Sequence, residues 1–514
     1  MNNCKERIDI LIQKLLPICD SWIQEKGDEL FFIDPLDNKE ISAHYGATHI
    51  AAAMILYGKM NQQKLLYDKG IKLLRSILKR WETSVKLPSY HYDFNNFALC
   101  IIENYLAESE NALSEELKKV VLCTEDSNHD TTNWLPMRWY VNRLRYEWTK
   151  EKKYSNNCDL CRQKILKATN ADGGIEDRMP KGMSFNLQYD VATVGVLQFL
   201  RNRGEELDLS RELQFLLNVV VPDGDINYQG RGTNQIFAWS LWVYLLASSS
   251  SEDYLLQALD YLEPKVVGMY ERKNLMLNDW DGADKYLWWD YHYCSVYCAH
   301  FVLWLVLSLY DYGKNRIIHL SEAVTDVTGL RIYKSNDAFV SVFSGRTEYL
   351  SEKGPLVNVI WSQKYGSIIK SSFGPWQGAF GNKYTILQVL INYFGLVTKK
   401  SYPLMQQGSI LNRICTKLRL EVKEEYVPCF SPLKVMLSEK DVKVEFEQTS
   451  SRPCILNVPI LSNVFTKGLV SLQVDGKNVH LFEACKIKNQ YEWCVVIQSH
   501  PIKGHRWMVL FNLN

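Results

Sequence analysis

The sequence predicts a protein in two parts: an N-terminal (α/α) toroid of about six helical hairpins over residues 1–315, followed by a C-terminal antiparallel β-sandwich over 316–514. Three observations predict it. Apolar residues recur at helical spacing through the first three-fifths of the chain. Alternate helices differ in character. After Tyr312-Gly313-Lys314-Asn315 the apolar period falls to about two.

The helical pattern covers 3–25, 42–58, 62–82, 93–108, 112–123, 132–149, 154–169, 186–202, 208–220, 232–247, 252–268 and 290–311. Tyr67, Ile71, Leu74, Ile77 and Leu78 form a stripe on one helical face. Turn chemistry punctuates the pattern at Ala171-Asp172-Gly173-Gly174 and Pro222-Asp223-Gly224-Asp225. Every second helix opens with polar and aromatic residues: His44-Tyr45; Tyr90-His91-Tyr92-Asp93; Asn133-Trp134; Asn186 with Gln188-Tyr189-Asp190; Arg231 with Asn234-Gln235; and Trp288-Trp289-Asp290-Tyr291-His292-Tyr293. Helices that are apolar along their bodies and polar at one end belong in an inner layer whose ends face a cleft. The plain amphipathic helices between them belong outside.

Strands are expected at 337–343, 418–422, 441–446, 469–474, 479–482 and 507–511, with a hairpin turn at Val474-Asp475-Gly476-Lys477. The stretch 384–394 fits a helix as well as a strand.

Composition narrows the function. With 46% hydrophobic and 23% charged residues the chain is globular, which excludes disorder as its main state. Lys and Arg total 59 against 58 Asp and Glu, so net charge gives no reason to expect a nucleic-acid or polybasic membrane partner. The 15 Trp and 29 Tyr exceed ordinary packing needs and suit a wet cleft for amphipathic ligands such as sugars. The first ten residues are charged and carry no signal-peptide pattern, and the apolar run 301–309 is too short to span a bilayer and reads as a buried helix. The 13 Cys then read as free thiols in a reducing compartment, and a cytoplasmic location is expected.

Thr132-Asn133-Trp134-Leu135-Pro136 through Val141-Asn142 resembles the Asn-Trp segment of polysaccharide lyases of the hyaluronate, chondroitin and heparin type. Asp172-Gly173-Gly174 followed by Ser184–Asp190 resembles their Asp-Gly turn leading to a helix with a catalytic Tyr. Asp223-Gly224-Asp225 with Tyr228-Gln229-Gly230-Arg231-Gly232 resembles their Arg-bearing segment. Asp337–Ser341 resembles the first sandwich strands of the heparinase II/III-like group. The resemblance implies that Asn133 neutralises a uronate carboxylate, that Tyr189 exchanges the proton, and that Arg231 is a cleft cation. Residues 170–188 contain no His, so a base would come from His91 or His292.

Proton abstraction beside a carboxylate needs charge neutralisation, a base and an acid within reach of one another. His91 and His292 titrate near neutrality when unperturbed; the structural alternative is a bond to nearby backbone. Asn133 also stands where a helix cap is expected, and Tyr189 fits equally as a buried Tyr. Arg231 pairs either with a substrate carboxylate or with Asp223 or Asp225. Trp134, Tyr92, Asn186, Gln188, Tyr228, Asn234, Trp289 and Tyr293 are the candidate sugar contacts. Asp93, Asp190 and Asp290 support the alternative of glycoside hydrolysis by a carboxylate pair. A non-catalytic glycan-binding protein on the same scaffold is the third reading. Cys158-x-x-Cys161 lacks the further ligands of a metal site, and no phosphate-binding glycine loop or nucleophile elbow occurs, so neither metal nor cofactor is expected. The expected partner is an acidic polysaccharide or oligosaccharide.

Overall fold

The computed structural model describes residues 3–83, 91–106, 111–127, 129–179, 182–229, 236–249, 252–272, 294–314, 328–343, 356–370, 382–383, 425–426, 434–438, 440–448, 456–488, 493–500 and 502–513. The helical part comprises α1 (Asn3–Ser21), α2 (Gly46–Met60), α3 (Lys64–Thr83), α4 (Tyr92–Leu106), α5 (Asn111–Cys123), α6 (Leu135–Thr149), α7 (Lys152–Ala168), α8 (Leu187–Asn202), α9 (Ser210–Val219), α10 (Ile236–Ser249), α11 (Glu252–Arg272) and α12 (Cys294–Tyr310).

Helices α2, α4, α6, α8, α10 and α12 pack in that order, and α12 returns to α2, so the six close a ring. Outside it, α3, α5, α7, α9 and α11 each lean on the preceding inner helix, and α1 fills the last outer place against α12. The sequence explains the layering. Inner helices such as α10 (IFAWSLWVYLLASS) and α12 (CSVYCAHFVLWLVLSLY) are apolar all round and buried. Such helices are stable only when covered on every side. Outer α3 buries a single stripe containing Ile71, Leu74, Ile77 and Leu78. The apolar run 301–309 is indeed a buried helix, α12.

The ring axis is filled by aromatics from four inner helices. Trp304 lies 5.8 Å from Phe97, 6.0 Å from Phe199 and 4.9 Å from Tyr244. Beyond the plug, Asp311 accepts hydrogen bonds from Tyr244 (2.7 Å) and Arg203 (2.7 and 2.9 Å). The interior is therefore filled with side chains along the bodies of the inner helices.

Two short antiparallel elements inside the helical part were not expected. The first is a three-stranded meander: β1 (Ile23–Lys26), β2 (Glu29–Asp34) and β3 (Lys39–Glu40). The helix predicted over 3–25 stops at Ser21, and β1 follows, turned back onto β2 at Gly27, which takes a positive φ of 62°. The second is the hairpin β4 (Asp177–Met179) with β5 (Gly182–Ser184).

The C-terminal part is antiparallel. Strands β6 (Leu330–Lys334), β7 (Ala338–Phe343), β8 (Leu356–Ser362) and β9 (Gly366–Lys370) form one sheet in that order. A short pair joins β10 (Asn382–Lys383) to β11 (Glu425–Tyr426). The remaining strands are β12 (Lys434–Leu437), β13 (Asp441–Glu447), β14 (Asn457–Leu461), β15 (Val470–Val474), β16 (Lys477–Val479), β17 (Leu481–Lys488), β18 (Trp493–Ser499) and β19 (Arg506–Asn512). They make a five-stranded sheet, β12-β13-β19-β15-β16, and a three-stranded sheet, β14-β18-β17.

Every residue of β7 is buried. Its alternate side chains go opposite ways: Phe339 and Phe343 join the core of the helices, while Ala338, Val340 and Val342 join the core of the other sheets. The sheet β6–β9 thus lies between the helices and the other strands, which is why β7 is buried on both faces and apolar except for Ser341. The expected hairpin is present, with Asp475 at φ 50° and Gly476 at φ 76° between Val474 and Lys477. The strand expected at 479–482 is divided, since β16 ends at Val479 and β17 starts at Leu481. The calls at 418–422 and 384–394, and the boundary at 315/316, fall outside the described residues.

Candidate active site

The N-terminal ends of the inner helices converge on a cluster of imidazole and aromatic rings. His44 and Tyr45 precede α2, and His91 precedes α4. His91 lies 4.2 Å from His44, 5.5 Å from Tyr45 and 5.4 Å from Trp134, between ring centroids. Trp134 in turn lies 5.3 Å from His129. Tyr45 stacks on Phe94 at 4.3 Å and 11°. The starts of three consecutive ring helices, α2, α4 and α6, are thereby joined at one end.

His91 is buried, and its Nδ1 lies 2.9 Å from the Ala43 carbonyl. A carbonyl only accepts, so Nδ1 carries the proton and Nε2 of the neutral ring carries a lone pair. Burial, reinforced by neighbouring His44, pushes the His91 pKa down to about 3. The ring is therefore a neutral acceptor at physiological pH. Burial likewise holds the Tyr45 phenol well above its ordinary pKa, with Tyr189 near enough to add to the effect.

Asn133 sits in a short 3-10 helix, Thr132–Trp134, and is buried. Its Oδ1 has no hydrogen-bond partner among the described residues. It is not a cap: Thr131 holds the cap position, and Asp177 of β4 accepts from the Thr132 amide at 2.7 Å. Arg178 N donates back to the Thr132 hydroxyl at 3.1 Å. The β4–β5 hairpin thus fixes the Asn133-Trp134 segment from outside the ring. Tyr189 lies in the first turn of α8, nearly buried. The carbonyl of Asn186 caps that turn, accepting from Tyr189 N (3.1 Å) and Asp190 N (3.0 Å).

The two described carboxylates proposed for a hydrolytic pair are separately engaged. Asp93 meets Arg138 at 2.9 Å in a buried ion pair, and burial still raises its pKa to about 6. Asp190 has no exposure, accepts from Ile175 N at 3.1 Å, and is held well above the usual carboxylate range by burial. Each ties its helix to a neighbouring segment.

No family model matches the chain, and no curated protein matches it. Among solved structures it is similar to a family 76 glycoside hydrolase from a bovine Bacteroides thetaiotaomicron strain, with 11% identity over 59% of this chain and 78% of that one and a TM-score of 0.40. It is also similar to a polysaccharide lyase (11%, 60% and 97%, TM-score 0.39). A third is an unsaturated glucuronyl hydrolase specific for heparin (8%, 61% and 98%, TM-score 0.43). These proteins are two hydrolases and a lyase, and the reading of this chain rests on its own geometry.

Two expected sugar contacts are corrected. Tyr228 has no exposure and donates its hydroxyl to the Val219 carbonyl at 2.7 Å, so it is core. Gln188 is fully buried and accepts from Asn227 Nδ2 at 3.2 Å, which ties α8 to the segment before α10. Trp134, Asn186 and the half-buried Tyr92 remain at the converging ends. Arg231, Asn234, Trp289, Asp290, His292 and Tyr293 lie outside the described residues.

The two Asp-Gly turns are also not cleft elements. Asp172 accepts from Thr328 N (3.0 Å) and the Thr328 hydroxyl (3.1 Å), at the approach to β6. Asp223 accepts from the Ser367 hydroxyl of β9 at 3.0 Å, and Lys370 lies 3.8 Å from both Asp223 and Asp225. These turns dock the first sheet against the helices.

Sequence reasoning passed over Arg138, Asp177, His49 and His300 as site residues. Their signals were an Arg, an Asp and two His on otherwise apolar or turn segments, whose partners lie far away along the chain. Cys158 and Cys161 are two thiols on α7, both pushed up to about 12 by burial. Among the described residues no three His, Cys, Asp or Glu side chains are grouped to hold a metal ion, and no helix is long and apolar enough to cross a membrane.

Proposed function

We propose that this chain is a carbohydrate-active enzyme, an α/α toroid (1–315) carrying a β-sandwich (316–514), that cleaves an acidic, uronate-containing glycan by β-elimination at the N-terminal ends of the inner helices. The observation that carries the reading is the His91–Asn133–Trp134 arrangement: a neutral imidazole with its Nδ1 committed to backbone, packed on the indole that follows a buried Asn with an unmatched oxygen. A sugar would stack on Trp134. Asn133 would bind the uronate carboxylate and acidify the C5 proton. His91 Nε2 would take that proton, and Tyr189 would return one to the leaving oxygen, balancing the elimination.

The lowered pKa of His91 fits this order of events. A carboxylate entering beside His91 favours the protonated imidazole, so substrate binding itself raises the basicity of the ring. The inner-helix N-termini add partial positive charge of the sign an acidic substrate needs. Arg231 and His292 are the further cationic and basic candidates. The roles of Asp93 and Asp190 as ties within the scaffold favour elimination over hydrolysis by that pair.

The test is substitution of Asn133→Ala, His91→Gln and Tyr189→Phe in the full chain, with release of unsaturated uronate as the readout. Each is expected to lower turnover at least about a hundredfold, the usual worth of a positioned acid–base group. Unchanged turnover in all three overturns the assignment.

A further inference from the structure

Three imidazole nitrogens on the ring axis are buried and unmatched. His300 of α12 has no exposure, and neither Nδ1 nor Nε2 has a hydrogen-bond partner among the described residues. His49 of α2 is equally buried; its Nδ1 is engaged with the Tyr45 carbonyl at 2.9 Å, and its Nε2 has no partner among them. The two rings lie 5.3 Å apart at 30°. Phe237 covers His300 at 4.2 Å and 11°, and Tyr45 stands 4.7 Å from His49 and 5.8 Å from His300. Buried polar atoms are almost always matched, so orphans set side by side point to a group supplied from outside the chain.

The chemistry of the three nitrogens selects that group. His49 Nε2 can only accept, because Nδ1 holds the proton. Neutral His300 offers one donor and one acceptor. A carboxylate has no proton to give to His49, and two imidazoles alone fall short of a usual metal coordination set. A hydroxyl both donates and accepts. Phe237 and Tyr45, each with one face taken by His300 and Phe94 respectively, bound the pair with apolar surface.

We infer that His49 and His300 form a subsite for an uncharged sugar hydroxyl on the axis of the helix ring, one helical turn below Tyr45. The inference rests on the glycan reading above and extends it to a neutral part of the substrate. It concerns binding, whereas that reading concerns turnover, so the two fail separately.

The test is calorimetric titration of the full chain with methyl glucoside, methyl galactoside, methyl mannoside and free glucuronate. Wild type is compared with His49→Phe, His300→Phe and His300→Gln, each checked for folding by circular dichroism. At least one neutral glycoside is expected to bind. Its affinity should fall about tenfold in each Phe variant, the order of effect of one lost buried hydrogen bond, and recover in part in His300→Gln. Three results overturn the proposal: no neutral glycoside binds wild type; the folded Phe variants bind as wild type; or His300→Phe lowers the melting temperature with affinity unchanged, the signature of a bound water only.

Discussion

The imidazole of His91 and the indole of Trp134 pack at 5.4 Å, joining the start of α4 to the start of α6 in one surface. What holds Trp134 there is the Asp177 carboxylate on the Thr132 amide, two residues before it. Asp177→Ala should therefore act through Asn133 and Trp134. Turnover is expected to fall about tenfold, the scale of one misplaced positioning contact, with Asp177→Asn recovering much of it because an amide oxygen still accepts the bond. Equal loss in both variants, read from kcat and KM separately, contradicts the positioning role.

Asp93 and Arg138 form a buried pair, and Arg138 also donates to the His129 carbonyl at 2.6 Å. Asp93→Ala leaves a buried guanidinium without its counter-charge, which costs about 3 kcal/mol or more. The expected outcome in urea unfolding is a lower midpoint, with turnover per folded molecule retained. Loss of turnover in a stable Asp93→Ala would restore the hydrolytic reading.

His49 and His91 are held neutral with pKa values of about 3, below an ordinary value of 6.5. In the unfolded chain they take up protons first as pH falls. The unfolded state is then favoured, and stability drops from about pH 6.5 downward by about 1.4 kcal/mol per unit for each group. Asp93 acts in the opposite sense: its raised pKa of about 6 makes the folded state gain protons between pH 6 and its ordinary 3.8. The difference between wild type and His91→Phe isolates the histidine contribution. The variant should lose less stability between pH 6.5 and 4.5 in melting experiments, and parallel curves would refute the assignment.

Gly173 and Gly224 both have positive φ (97° and 98°), and an added Cβ would sit 2.4 Å from the Arg211 and Gln257 carbonyls respectively. Gly224→Ala is expected to destabilise by about 2 kcal/mol or more, through strain and clash together. The effect should appear first as faster proteolysis between the helices and the first sheet, since this turn carries the contacts to Ser367 and Lys370. Unaltered proteolysis would show that the turn does not anchor the sheet.

Much of the helical part was legible because burial leaves a mark on composition. Helices α2, α10 and α12 are apolar on every face, while α3 carries one stripe, and that contrast separates inner from outer. The polar residues opening the inner helices were legible as a group, and His91, Asn133, Trp134 and Tyr189 do stand at converging ends. Their individual duties were not. Tyr228 and Gln188 look like cleft residues in sequence, yet each is buried and satisfies an internal partner, the Val219 carbonyl and Asn227 respectively. The Asp-Gly turns read as site motifs and serve as docking points, because an Asp that caps a turn and an Asp that contacts a ligand present the same residues. The β1–β3 meander was missed because its strands are short and follow α1 directly, with one glycine to mark the reversal.

Elimination at the His91–Asn133–Trp134 end of the ring leaves a chromophore in the product. The most direct measurement is ultraviolet absorbance of the purified full chain incubated with a panel of uronate-containing glycans, with reducing ends counted in parallel. Elimination should give new absorbance from a 4,5-unsaturated uronate in step with reducing ends, abolished in Asn133→Ala. Reducing ends without that absorbance, persisting in Asn133→Ala, would contradict it.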